Sequence, residues 1–303
     1  MLFTEAKLAR RWVGNPTELP PSDAGSYGFC PGEPIRFAVL GDSSAAGLGV
    51  QSGDQTPGAR IAGGLAAVAE RPVQVTNVAL VGARSSDLDR QVTLALAGVP
   101  EVALIMIGAN DVTHRVAITQ AVAELDTAVR RLRAGGCEVV VATCPDLGTI
   151  KPIAQPLRYL ARRWSRQLAA AQTIVVVEAG GRTVSLGDLI GPEFTAAPHE
   201  MFSPDRFHPS ALGYASAAMA LLPSVCAALG YWPDEERHPD PARDEGLLPV
   251  ALAAAAAAER PGTEVAPHDG PDRSGGLRGP RALLRHRRRS ELPAPDCPQV
   301  PVT

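Results

Sequence analysis

Four short stretches carry the residue types needed for nucleophilic attack on a carbonyl. They are Gly41-Asp42-Ser43, Gly82, Gly108-Ala109-Asn110-Asp111 and Asp205-Arg206-Phe207-His208. A serine hydroxyl attacks when a base takes its proton, and neutral histidine suits that task near pH 7. The imidazole must in turn be held in one tautomer, usually by a carboxylate. Asp205 precedes His208 by three residues, so one short loop can present both, and Phe207 and Pro209 stiffen that loop. The tetrahedral oxyanion then needs donors set in place beforehand. The Ser43 N–H at a helix-starting turn, the Gly82 N–H with no side chain to block approach, and the Asn110 carboxamide are the candidates.

Each piece also has an ordinary reading. Asp or Ser after a strand often caps a helix, a glycine often makes a turn, and an Asn often closes an Asx-turn. Other histidines fit less well. His114, with Asp111 three residues before it, is a weaker candidate. His199 sits beside Glu200 on a proline-rich loop, and His238, His268 and His286 fall in the C-terminal tail. Asp42 and Asp111 invite a metal reading, but spacing brings no third ligand and serine chemistry needs no metal. Capping and loop hydrogen bonds are the expected roles, and neither a metal nor a cofactor is expected.

Strand-like runs must hold these side chains. Ile35–Leu40 leads into Ser43, and Val102–Ile107 leads into Asn110. Strands are expected at 35–41, 73–80, 102–107, 137–143 and 173–178, all rich in Val, Ile, Leu and Ala, as strands covered on both faces should be. Helices are expected near 57–70, 85–97, 115–134, 155–171 and 211–229. Such alternation implies an α/β fold with a parallel sheet and helices on both faces. Reactive residues at the carboxyl ends of parallel strands are where such sheets bind ligands.

The 303 residues divide into an N-terminal extension (1–33), one α/β domain (34–232) and a tail (233–303). The tail has no Phe, Tyr or Trp and 12 of the 28 prolines, so disorder is expected there, apart from a transient alanine-rich helix over Leu247–Ala258. The basic cluster Arg281–Ser290 leaves peripheral contact with an acidic membrane surface open. Arg158, Arg162, Arg163 and Arg166 are expected on a solvated helix face. A net charge of −3 gives no argument for nucleic acid as a partner, so the partner expected is a small-molecule ester. The five cysteines are odd in number and form no CxxC pair, which suggests a reducing compartment. No apolar signal region opens the chain, and no membrane-spanning stretch of about 18 uncharged apolar residues is expected. A cytoplasmic location follows as an expectation.

In this order and spacing the four stretches resemble the SGNH (GDSL-type) hydrolases. Gly-Asp-Ser at 41–43, Gly82, Gly-Ala-Asn-Asp at 108–111 and Asp-Arg-Phe-His at 205–208 match the family's four blocks, and the resemblance covers about residues 34–230. Ser44 stands where the family name has leucine. The resemblance implies a flavodoxin-like three-layer α/β/α sandwich with a five-stranded parallel sheet. It assigns Ser43 as nucleophile, His208 as base and Asp205 as its orienting group, with Ser43, Gly82 and Asn110 as the oxyanion hole. The expected activity is hydrolysis of a small or medium acyl ester. An acyltransferase using an alcohol or sugar acceptor, or a non-catalytic binding module on the same fold, are the alternatives.

Overall fold

The structure, a computed structural model, describes residues 19–149, 155–187, 198–231, 239–268 and 280–286. Within them one sheet is built from β1 (Gly25–Tyr27), β2 (Ile35–Gly41), β3 (Val73–Asn77), β4 (Val102–Met106), β5 (Glu138–Ala142), β6 (Arg182–Val184), β7 (Gly246–Pro249), β8 (Thr263–Pro267) and β9 (Arg281–His286). Its order is β1-β3-β2-β4-β5-β6-β8-β9-β7. The five central strands, β3-β2-β4-β5-β6, run parallel. β1 joins one edge antiparallel, and β8, β9 and β7 extend the other edge antiparallel. The expected five-stranded parallel sheet is therefore the centre of a larger mixed one.

Strands β2 and β4 alternate their buried side chains between two helical layers. Phe37, Val39 and Leu104 face α1 (Pro57–Ala69) and α7 (Ala211–Ala228) through Ile61, Leu65, Leu221 and Val225. Ala38, Leu40 and Ile105 face α2 (Leu88–Leu96), α4 (Ile118–Ala134) and α5 (Leu157–Glu178) through Leu88, Val92, Leu125, Val129 and Val176. A short helix, α3 (Ala109–Thr113), follows β4, and α6 (Pro198–Met201) precedes the His208 loop. The chain steps from β2 to β3 on one side and then to β4 on the other. This reversal leaves a crevice at the carboxyl ends of β2 and β4, where open α/β sheets place ligands.

Three expectations are corrected. Residues 173–178 are the last turns of α5, and the fifth parallel strand is 182–184. The β-branched run there reads as a strand because it is apolar on two sides. As a helix it packs Val176 against the sheet and Ile174 and Val177 against the C-terminal segment. Tertiary contact thereby overrides a local β preference.

The disorder expected for 233–303 does not hold for residues 239–268 and 280–286. They form β7, α8 (Val250–Glu259), β8 and β9. Lacking aromatics, this segment packs Val250, Ala253, Ala257, Val265, Ala282 and Leu284 around Val177. It needs no core of its own, because the β6 edge supplies hydrogen-bonding partners and α5 supplies an apolar face. An ion pair between half-buried Arg182 and buried Glu264, at 3.0 Å, ties β6 to β8. Arg281–His286 of the basic cluster is strand β9, whereas Arg287–Ser290 lie outside the described residues.

The third correction concerns Ala211–Ala228, an 18-residue stretch without charge that is long and apolar enough to cross a membrane. In this fold it is α7, a core helix covering the sheet, with 56% of the stretch buried.

Candidate active site

Ser43 lies just past β2 and Asn110 just past β4, on opposite banks of the crevice. β2 ends on Gly41 and β4 leads through Ile107 into Gly108, both glycines with a positive φ, 134° and 132°. A Cβ at Gly41 would sit 1.9 Å from the Met106 carbonyl oxygen, and one at Gly108 would sit 2.9 Å from Cys144 Cβ. Only glycine fits these turns, and each turn releases the chain from the ladder two residues before its polar side chain.

The His208 loop is closed at its base. Phe202 bridges Pro209, the Ser203 N–H donates to the His208 carbonyl (2.8 Å), and Arg206 adopts φ 57° at the tip. Within it Asp205 Oδ1 accepts from Ser203 Oγ (2.7 Å), the Phe207 N–H (2.8 Å) and the His208 N–H (2.9 Å). Asp205 Oδ2 lies 2.6 Å from His208 Nδ1, and His208 Nε2 lies 2.9 Å from Ser43 Oγ. Burial works against the Asp205 charge. The hydrogen bonds from His208, Ser203 and the two backbone N–H groups outweigh it and hold the carboxyl well below the usual carboxylate range. An ionised Asp205 accepts only, so Nδ1 carries the proton and Nε2 is left to accept from the Ser43 hydroxyl. Ser43 and His208 are both buried, at 7% and 5% exposure.

The two loops are locked together. Tyr214, fully buried on α7, donates its hydroxyl to the Leu48 carbonyl at 2.7 Å. Gly49 has φ 107°, and a Cβ there would come within 2.7 Å of the Pro209 carbonyl and 3.0 Å of His208 Cβ. The small residues after Ser43 thus allow close approach of the His208 loop. The N-terminal segment contributes as well. Buried Asp23 accepts from Thr56 Oγ1 (2.9 Å) and Asn77 Nδ2 (3.0 Å), and Asn77 also donates to the Ala45 carbonyl.

The three expected oxyanion donors fall at this same edge of the sheet. Among the described residues, no acceptor takes the N–H of Ser43 or of Gly82. Gly82 has φ 82° in an exposed turn whose root, the Leu80 N–H, donates to the Gly41 carbonyl at 3.1 Å. Asn110 Nδ2 spends one proton on the Ala83 carbonyl at 3.0 Å, which leaves the other available. Asp111 accepts from the Ser85 N–H and Oγ (2.9 Å for the latter), so the Gly82 turn is fastened to the Asn110 helix at two points.

Other residues resolve as follows. His114 is exposed, with Nδ1 2.9 Å from the Asn110 carbonyl oxygen. Burial raises the Cys144 thiol well above its ordinary value, which removes it as a rival nucleophile. Arg162 and Arg166 pair with buried Asp146 at 3.3 and 3.0 Å, so the expected solvated face is partly an anchor for the loop after β5. Sequence reasoning missed Ser203, Gln91 and Gln172. Gln91 was detectable as a polar residue on the apolar stripe of α2 formed by Leu88, Val92 and Ala95.

Asp42 accepts from the Ser44 N–H at 2.9 Å. Burial pushes its pKa up to about 6, with hydrogen bonds from Ser44 and attraction to His208 acting against the rise and the Asp111 charge adding to it. The folded value lies above the ordinary 3.8, so the penalty is absent below pH 3.8 and grows as pH rises through about 6. Asp42→Asn keeps the acceptor without the charge. It is expected to stabilise the fold by under about 1 kcal/mol at pH 4 and about 3 kcal/mol at pH 8. Urea unfolding of both proteins at each pH reads this difference, and a gain that does not grow with pH would contradict a buried charge at Asp42.

A family model described as GDSL-like lipase/acylhydrolase matches residues 39–216. A curated GDSL-like esterase of Mycobacterium tuberculosis (strain ATCC 25618 / H37Rv) is 40% identical over 255 residues, spanning 80% of this chain and 81% of that protein. Among solved structures, a variant of an acetyl xylan esterase from Geobacillus stearothermophilus aligns with a TM-score of 0.51 at 20% identity, over 66% of this chain and 96% of that one. A second variant of it aligns with a TM-score of 0.50 at 21% identity, over 65% and 96%. At these identities the structural likeness speaks for the fold, the three-layer α/β/α architecture described above. With the family model spanning more than half of the chain and a curated esterase at 40% identity, the chain belongs to the GDSL-like lipase/acylhydrolase family and is a carboxylic ester hydrolase.

Proposed function

We propose that this esterase hydrolyses a small or medium acyl ester through a Ser43–His208–Asp205 triad and an acyl-enzyme. The observation that carries the reading is the unbroken hydrogen-bond chain from Ser43 Oγ through the imidazole to the Asp205 carboxylate, at 2.9 and 2.6 Å. Ser43 Oγ attacks the ester carbonyl while His208 Nε2 takes its proton, and Asp205 stabilises the imidazolium that forms. The oxyanion rests on the Ser43 and Gly82 N–H groups and the free Asn110 amide proton. His208 then protonates the leaving alcohol. A water activated by the same imidazole releases the acid and restores the serine. The shortage of aromatic residues, 4% of the chain, argues against a deep apolar tunnel and for the smaller acyl groups.

The test is a panel of p-nitrophenyl esters of increasing chain length. A burst of p-nitrophenol and an acyl adduct on the Ser43 peptide are expected, with turnover greatest for short or medium chains. No turnover on any ester, with no adduct, would overturn the reading. Asn110→Ala is expected to lower kcat by about two to three orders of magnitude with little change in KM, the effect of losing one oxyanion donor. An unchanged kcat would remove Asn110 from the hole.

A further inference from the structure

We propose that Gln91 and Gln172 are positioning residues for the oxyanion hole, each setting the strand end from which hole donors project. This rests on the oxyanion assignment above.

The two strand ends are built alike. β2 ends on Gly41 at φ 134° with Ser43 two residues on. β4 leads through Ile107 into Gly108 at φ 132° with Asn110 two residues on. Gly41 still pairs with Met106 of β4, but regular pairing with β3 ends at Val39–Asn77, and β4 pairing with β5 ends at Met106–Ala142, so each glycine lacks a side chain and has lost one neighbouring strand. In each case a buried glutamine from the same helical layer replaces that restraint. Gln91 of α2 is 4% exposed; its Oε1 accepts the Gly41 N–H at 2.7 Å and its Nε2 donates to the Gly41 carbonyl at 2.9 Å. Gln172 of α5 is 1% exposed; its Nε2 donates to the Ile107 carbonyl at 3.0 Å and its Oε1 accepts the Cys144 N–H at 2.7 Å.

The consequences reach all three donors. The Gly41 carbonyl that Gln91 holds also receives the Leu80 N–H, the root of the Gly82 turn. Gln91 therefore sets the Ser43 and Gly82 amides relative to one another. Gln172 joins the end of β4 to the end of β5 and sets the base from which Asn110 projects. Its Nε2 would lie 3.1 Å from a Cβ at Gly108, so the glycine is what admits the clamp. Oxyanion donors work by being fixed in advance, and displacement of about 1 Å is worth about a hundredfold in rate.

The experiment compares Gln91→Met and Gln172→Met with the native enzyme, at a temperature well below each unfolding midpoint. It measures kcat, KM and the inhibition constant of a trifluoromethyl ketone, whose hemiketal oxygen occupies the hole. A drop in kcat of about tenfold to a hundredfold is expected, with KM changed less than about threefold and the ketone weakened by the same factor as kcat. A lowered unfolding midpoint with kcat and ketone affinity unchanged would make the glutamines purely structural and overturn the proposal. If a Met variant does not fold, Gln91→Glu replaces it. A protonated carboxyl restores the donor to the Gly41 carbonyl, so the ratio of variant to native kcat should rise from pH 8 to pH 6; a flat ratio overturns the proposal. Adduct formation on native Ser43 and the Asn110→Ala result are independent of these variants, so the positioning role can fail while the esterase assignment stands.

Discussion

Ser43→Ala is expected to lower kcat by about four to six orders of magnitude and to abolish covalent labelling by a fluorophosphonate. The Ser43 hydroxyl makes a 2.9 Å bond to His208 Nε2, and the backbone around it is held by Gly41, the Ser44–Asp42 turn and Tyr214. Removing one oxygen therefore leaves the loop intact. An unfolding midpoint close to the native one should accompany the loss. What survives is catalysis by the oxyanion donors acting on water, which is small but real in such sites. Persistent labelling at full stoichiometry would exclude Ser43 as the nucleophile. Cys144 offers no fallback, since its burial holds it as a thiol.

His208→Ala is expected to reduce kcat by about four to five orders of magnitude. Of the rival imidazoles, His114 is exposed and its Nδ1 faces the Asn110 carbonyl instead. The backbone N–H of residue 208 still donates to Asp205 Oδ1, and the base of the loop is closed by the Ser203–residue 208 bond and the Phe202–Pro209 bridge. The variant should thus fold with a vacancy where the ring was. Added imidazole is expected to restore part of the lost rate, with saturation, as a free base fills that space. Activity within about tenfold of native in the absence of imidazole would show that another group takes the serine proton.

The stretches of the candidate site were legible because their signals are local. Strand-like runs ending in Gly-Asp-Ser and Gly-Ala-Asn-Asp, and an Asp three residues before a His, state residue type and setting in a few positions each. Asp205 and His208 share one loop, so the sequence alone implied their contact. The Gln91 and Gln172 clamps were not legible as such. A glutamine on an apolar helix stripe announces a buried polar group, but its partner lies 50 residues away for Gln91, and 28 and 65 residues away for Gln172. The Arg162–Arg166 pairing with Asp146 was hidden for the same reason: a four-residue spacing of arginines says which face they share and nothing about what approaches it.

Residue types and short spacings by themselves pointed to ester chemistry, the alternation of strand and helix, and the edge of the sheet that bears the candidate site. Only the tertiary structure decided that Ile174–Val177 is helix, that the segment after 239 adds three strands and a helix, and that two loops 165 residues apart meet at Ser43 and His208. The reason is the same throughout. Periodicity records how many sides of an element are apolar, whereas burial depends on what arrives from elsewhere in the chain. A segment poor in aromatics cannot fold alone, but an open strand edge and a bare helix face complete it.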